Sequence, residues 1–197
     1  MRAILFSVLV LVWCSLASSK ERPNFLFIFT DDQAQESIGA YGNTVCRTPN
    51  IDRLAREGML IHDAHHMGSW SGAVCLPSRT MLMTGRTVWR IKGAPGFDEP
   101  DPQAEQSLAA LFNRAGYDTF RTCKRGNTYE PANRHFRVRH DSDKREGNDA
   151  EGSAWHAEHA IAYLKERQAQ GDTKPFLMFL GFSHPHDPRN GTDELLQ

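Results

Sequence analysis

Charge of one sign, cysteine and long apolar runs are all scarce in this sequence of 197 residues, and each scarcity closes off a class of function. With 23 Lys and Arg against 24 Asp and Glu, the formal net charge is −1, so the chain carries no electrostatic footprint for nucleic acid. Arg134, Arg137 and Arg139 make a local basic spot, but Asp141, Asp143 and Glu146 answer it, and the stretch reads as a solvated surface loop. There is no internal repeat and no low-complexity tract. A hydrophobic share of 40% with 24% charged residues describes an ordinary globular chain, long enough for one domain and short for two.

The longest apolar stretch, residues 3–14, follows Met1-Arg2 and precedes Ser15-Leu16-Ala17-Ser18-Ser19. This is the layout of a secretory signal peptide cut near Ala17 or Ser19. The apolar run is too short to cross a bilayer comfortably, and Trp13 before Cys14 argues against a lipoprotein site. Residues 1–19 are therefore set aside, and the mature protein is expected in a periplasmic or extracellular space, without a membrane partner after cleavage. Cys46, Cys75 and Cys123 remain. An odd number leaves at least one thiol unpaired or chemically used, with a Cys46–Cys123 disulfide open as a possibility.

Residues 24–30 form a short continuous apolar run ended by Asp31-Asp32, which suits a strand buried on both faces of a parallel sheet. Thr48-Pro49-Asn50 introduces a helix over 51–57 that Gly58 stops. A second strand is expected over 59–64, and helices over 76–84 and 103–114. A strand follows over 117–122, then a polar loop over 141–152. Ala154, Ala157, Ile161 and Leu164 fall on one helical face. Residues 176–182 give a further fully buried strand. Strands alternating with helices predict an α/β fold with a largely parallel central sheet sandwiched by helices.

In such sheets ligands gather beyond the carboxyl ends of the strands. Asp31-Asp32 stands at one such end and His184-Pro185-His186-Asp187-Pro188 at another. Adjacent carboxylates in a partly buried pocket repel each other unless a cation relieves them, and oxygen ligands favour calcium or magnesium. On their own, though, two aspartates more often serve a turn. His62, His65 and His66 lack the further ligands of a tetrahedral zinc set, and His156 and His159 read as surface or packing residues. Trp70, Trp89 and Trp155 could line a sugar site, with core packing the default.

Cys75 changes the weighting. As a generic thiol site the segment is weak, since the arginine stands four positions on rather than the six of a cysteine phosphatase loop. However, Cys75-Leu76-Pro77-Ser78-Arg79-Thr80-Met81-Leu82-Met83-Thr84-Gly85-Arg86 resembles the signature of the type I sulfatases of the alkaline-phosphatase-like superfamily. Asn24 to Asp32, Thr48-Pro49-Asn50-Ile51-Asp52, Ala115-Gly116-Tyr117-Asp118-Thr119 and Lys174-Pro175 through Pro188 resemble further stretches of the same family. The resemblance implies residues 22–197 as the N-terminal catalytic domain of a sulfatase, incomplete at its C-terminus.

What the resemblance implies about chemistry follows residue by residue. Cys75 would be oxidised during export to formylglycine by a formylglycine-generating or other sulfatase-maturating enzyme, with Pro77, Ser78 and Arg79 in the recognised sequence. Asp31, Asp32 and residue 75 would hold calcium. The hydrated aldehyde would attack the sulfur of a sulfated small molecule or carbohydrate with one hydroxyl and release sulfate with the other. Arg79 would orient that diol, Lys124 would contact the sulfate charge, and His186 would assist at the ester. Where the family has Gly-Lys-Trp-His, this chain has Cys123-Lys124-Arg125-Gly126, so the histidine that usually assists the diol is missing. The further calcium ligands and second lysine of the family have no counterpart; Asp141, Asp143 and Asp149 read as solvated. The alternatives are a phosphate or phosphonate ester hydrolase of the same superfamily, and a truncated domain without activity.

Overall fold

The computed structural model describes residues 22–69, 74–91, 102–142 and 152–187. Four strands, β1 (Phe25–Asp31), β2 (Asp118–Lys124), β3 (Val138–Ser142) and β4 (Phe176–Pro185), form one sheet in the order β1-β4-β2-β3. All three pairings are parallel, with Phe27 opposite Phe179 and Cys123 opposite Gly181. Parallel pairing forces each connection to cross over a face. Helices α1 (Pro49–Glu57), α2 (Cys75–Thr84), α3 (Leu108–Arg114), the single turn α4 (Glu130–Asn133) and α5 (Ser153–Ala169) supply those crossovers.

The sheet has a core on each face. On one, Met83 of α2, Ala109 of α3 and Ala132 of α4 pack with Cys123, Leu177 and Phe179. On the other, Ala160 of α5 packs with Phe120, Met178 and Leu180. The expected α/β sandwich is therefore present: helices cover both faces of a parallel sheet, and the central strands β2 and β4 are almost wholly buried.

Five expectations are corrected. β1 is not buried on both faces: Phe27 and Phe29 join the core, but Leu26 and Ile28 are exposed, because the helix on their face, α5, packs over β2 and β4. Residues 59–64 form no strand; Met59 and Ile61 lie exposed in irregular chain. The helix over 103–114 divides into a 3₁₀ segment, Pro102–Gln106, and α3, with buried Ser107 at the junction. The basic and acidic stretch around Arg139 and Asp141 is not a solvated loop. It contains β3, whose charges pair with one another, so a polar sequence becomes a strand. Finally, Ile161 and Leu164 are exposed, and α5 turns His156, Ala160 and Arg167 inward. The helical period was there, but the buried face is the one whose polar groups find partners in the sheet. The apolar leader, Trp70, Asp143, Glu146, Asp149 and Pro188 lie outside the described residues.

Candidate active site at the carboxyl ends of the strands

Three strands deliver side chains to one place. Asp31 ends β1, Lys124 ends β2, and β4 runs out through His184-Pro185 to His186. The register between β1 and β4 slips after Phe29, so Asp31 stands opposite Pro185. The slip re-aims the end of β4, as bulges beside sites do. Asp32 follows in the left-handed region, φ 58°, which aspartate tolerates better than most residues. Consecutive aspartates thereby separate: Asp31 is buried and Asp32 is half exposed.

Helix α2 brings the fourth contribution. Cys75 is its first residue, and Pro77 sits in the first turn, where its missing N–H costs nothing. Positions 75, 79 and 83 share one face, so Met83 anchors the helix in the core while Arg79 and Cys75 reach the strand ends. Cys75 Sγ lies 3.6 Å from Asp31 Oδ1. Arg79 Nη2 is 3.3 Å from the same oxygen, and its Nη1 donates to Cys123 Sγ at 3.0 Å. The guanidinium also lies 4.9 Å over the Phe29 ring. Lys124 Nζ is 2.5 Å from Asp31 Oδ2.

Burial alone pushes the Asp31 carboxyl up, but the ammonium of Lys124 and the guanidinium of Arg79 outweigh it and hold the group below the usual carboxylate range. One carboxylate thus faces two buried cations, an electropositive pocket ready for further anionic groups. His186 donates Nδ1–H to the Asp187 carbonyl at 2.8 Å, which leaves Nε2 3.6 Å from Asp32 Oδ2. Donor atoms of Asp31, Cys75 and His186 lie within 4.8 Å of one another.

Residues behind the site hold it in place. Arg121, 1% exposed, places Nε 2.9 Å from Asp141 Oδ1, Nη1 2.7 Å from Asn133 Oδ1 and Nη2 3.3 Å from the Lys124 carbonyl. Arg139 clamps Glu130 through two hydrogen bonds and reaches Asp141 Oδ2 at 2.5 Å. His156, fully buried, links Thr122 Oγ1 at 2.6 Å and Ser183 Oγ at 3.2 Å, tying β2 to β4 two residues before Lys124 and three before His186.

Asp31, Cys75, Arg79, Lys124 and His186, expected from sequence, converge, with Asp32 at the rim. Cys46 is exposed and Cys123 buried, both as free thiols, so they form no disulfide. Asp141 is not solvated but buried behind Lys124, and His156 proves to be a packing histidine with two polar partners. Arg121 was not expected near the site, and Cys123, although next to Lys124 in the segment compared with the family motif, was given no role there. Asn127 is exposed, with φ 51°. Trp89 is exposed, and Trp155 meets His156 edge-on and His159 at a tilt. A cleft of about 460 Å³ between α5 and strands β2 and β3 contains none of the converging residues.

The sulfatase family model matches residues 23–197. Bovine (Bos taurus) arylsulfatase A is 38% identical over 102 residues, covering 49% of this chain and 19% of that protein. Steryl-sulfatase of Mus musculus is 45% identical over 107 residues, 49% of this chain and 16% of that one. N-acetylglucosamine-6-O-sulfatase of Bacteroides thetaiotaomicron is 30% identical over 118 residues, 57% of this chain and 20% of that one. The chain thus spans about a fifth of the length of these curated relatives. Among solved structures, a protein in complex with its substrate D-glucosamine-2-N,6-O-disulfate superposes with a TM-score of 0.63 at 24% identity, over 84% of this chain and 35% of that chain. A protein in complex with k-i-k-neocarrahexaose gives 0.67 at 21% identity, over 88% and 47%. These last two establish the fold alone. A family model matched from residue 23 to 197, on a parallel sheet whose strand ends gather the residues its signature carries, makes this chain a member of the sulfatase family.

Proposed function

We propose that this chain is the catalytic N-terminal region of an exported sulfatase that hydrolyses sulfate esters of carbohydrates through an oxidised Cys75 and calcium. One observation carries the reading: Cys75 opens α2 with its sulfur 3.6 Å from Asp31, the carboxylate to which Arg79 and Lys124 are both paired. The donors fit a hard cation. Asp31 and Asp32 offer carboxylate oxygens, and buried Asp31 Oδ2 lacks an aligned hydrogen-bond donor despite its closeness to Lys124. Calcium held there would supply Lewis-acid stabilisation of oxygen anions. Formylglycine at position 75 would supply a hydrated carbon with two hydroxyls, one to take the sulfate and one to expel it; a thiol lacks the second.

The chain's own residues do the positioning. Asp31 and Asp32 hold the cation. Arg79, fixed by Cys123 and Phe29, orients the group at position 75. Lys124, pinned through its carbonyl by Arg121 and paired with Asp31, offers its ammonium to sulfate oxygens as a point charge. His186 presents Nε2 toward the same space as acceptor or donor of the ester proton. Gly126 stands where the resemblance has histidine, so proton transfer at residue 75 also falls to His186. Carbohydrate substrates are supported by the relatives that carry sugar-sulfatase names. Export is supported by the layout of residues 1–19, and residues 75–86 are the segment a sulfatase-maturating enzyme would read.

The test is peptide mass spectrometry of the exported protein across Cys75. A loss of about 18 Da, thiol to aldehyde, supports the reading; an intact thiol in a host with an active maturating enzyme overturns it. Turnover of matched aryl sulfate and aryl phosphate esters then separates sulfatase from phosphate ester hydrolase, and a strong phosphate preference would favour the second.

A further inference from the structure

Helix α2 leads from the strand ends to a second cleft. Cys75 opens the helix, and Gly85 ends it in the left-handed region (φ 63°), with its N–H on the Met81 carbonyl at 2.8 Å. The helix separates its two ends by about 15 Å. Beyond Gly85 the chain makes a 3₁₀ turn, Val88–Arg90, anchored by buried Val88 and Ile91. Residues three apart eclipse in such a turn, so with Val88 and Ile91 inside, Thr87 and Arg90 stand together outside. A cleft of about 460 Å³ opens there, lined among the described residues by Gly85, Arg86, Thr87 and Arg90.

The polar side chains of this cleft are donors. Arg86 Nη1 donates to Gln103 Oε1 at 2.6 Å, a neutral acceptor that orients the guanidinium without cancelling its charge. The Arg86 backbone N–H is held by Thr84 Oγ1 at 3.3 Å. Arg121, Arg137, Arg139 and Arg167 each pair with a carboxylate; among the described residues Arg86 and Arg90 pair with none. Two guanidinium groups and a hydroxyl in one concavity select an oxyanion, whose oxygens the guanidinium fork meets in pairs. The dipole of α2 accounts for a cation only beside its last turn, so it does not explain Arg90. Trp89, within the same turn and 67% exposed, adds an aromatic face with no part in the core. An indole beside two arginines suits a sugar ring that carries sulfate better than a free anion, which has no apolar face. The net charge of −1 argues against nucleic acid.

From this geometry we infer that Arg86, Thr87 and Arg90, with Trp89, form a second binding site, for a sulfate-bearing sugar of a polysaccharide, apart from the strand-end site. The inference rests on the proposed function for its choice of a sulfated sugar; an oxyanion site in this cleft stands without it. Holding one sulfated sugar here while another part of the same polysaccharide reaches position 75 raises the effective concentration of substrate, with no new contact at the reacting atoms.

The experiment is calorimetric titration of the full chain, kept in its thiol form so that maturation does not enter. The probes are a heparin hexasaccharide, its desulfated counterpart and sodium sulfate alone, each in low-salt buffer. The sulfated hexasaccharide is expected to bind, with an affinity that falls as salt is raised. Arg86→Gln and Arg90→Gln are each expected to weaken it by about tenfold, the worth of one charge-assisted hydrogen bond. Trp89→Ala is expected to weaken it by about threefold. Lys124→Gln, which alters the strand-end site, is expected to leave binding in place. Circular dichroism of each variant checks that the fold persists. The inference is overturned by no binding, by equal binding of the desulfated hexasaccharide, or by sodium sulfate binding as tightly as the hexasaccharide. Loss of binding with Lys124→Gln but not with Arg90→Gln overturns it too. Aldehyde formation and aryl sulfate turnover are read on separate samples, so failure of the proposed function does not imitate failure of this site.

Discussion

Asp31 is the residue on which the site turns, because two buried cations and a thiol address its two oxygens. Its lowered pKa is also a stability statement. A carboxyl depressed in the folded state contributes stability above the unfolded value, and that contribution is lost as pH falls through the folded value. Asp31→Asn leaves Lys124 and Arg79 buried without a counter-charge. The expected cost is about 3–5 kcal/mol, read from urea denaturation at neutral pH. A change below about 1 kcal/mol would mean the pairs are not desolvated in solution. Gly181 is a second single-residue case. It faces Cys123 across β4 and β2, and a Cβ there would overlap Cys123 Sγ and press on Phe179 Cε1. Gly181→Ala is expected to lose about 1–3 kcal/mol, with part of the loss recovered in the double variant Gly181→Ala, Cys123→Ala. Equal stability of single and double variants would rule out the clash. Asp31 and Cys75 were both legible as chemistry in the sequence, from an aspartate pair after an apolar run and from a signature segment. Cys123 was visible only as a spare thiol, since nothing local says that a strand pair aims its sulfur at Arg79.

At the scale of elements, α5 shows how a helix fastens a site it does not enter. His156 bridges Thr122 and Ser183, and burial, helped by nearby His159, His184 and Arg121 and opposed by Asp141, pushes its pKa down to about 4. The neutral ring is therefore the form that fits. Above about pH 6.5 both folded and unfolded histidine are neutral, and the full stability is present. Between that value and about 4 only the unfolded chain takes up the proton, so stability falls by about 3 kcal/mol in total and then levels. His156→Gln is expected to flatten the urea midpoint over this window, whatever its effect at neutral pH. An unchanged slope would show that another group is responsible. β3 supplies the companion case. Asp141→Ala strands Arg121, whose side chain is 2% exposed, and should cost about 3–5 kcal/mol in the same assay. Helices α1, α2 and α5 and strands β1, β2 and β4 could be found from caps, glycine stops and apolar runs. β3 could not, because Arg139 and Asp141 carry the signature of a surface loop until partners on β2 and α4 neutralise them.

For the whole molecule, the strand ends bring together the proposed cation ligands from positions far apart in sequence, so under the proposed function ligand binding and global stability would be linked. In the oxidised protein, calcium at about a hundred times its dissociation constant should add about 2.7 kcal/mol. At this size that corresponds to a rise in Tm of about 5–10 °C, reversed by chelation. Thermal unfolding with and without calcium reads it, and no shift would remove the ion from the proposed function. At the same scale, Leu26 and Ile28 of β1 are exposed on a strand paired on one side among the described residues.

The sequence by itself determined what is local. Apolar runs against helical periods dictate alternating strands and helices and hence a parallel sheet. The 75–86 segment dictates the family, because a signature is read residue by residue. Tertiary structure alone decided which polar residues are inside. Burying Arg121, Lys124, Asp141 and His156 is affordable only when partners from other elements meet them, and those partners are set by strand order and register. The same register decided that Asp31, Cys75 and His186 share one pocket while Asp32 turns to its rim. Pairwise contacts across a sheet have no signature in any stretch of chain short enough to read alone.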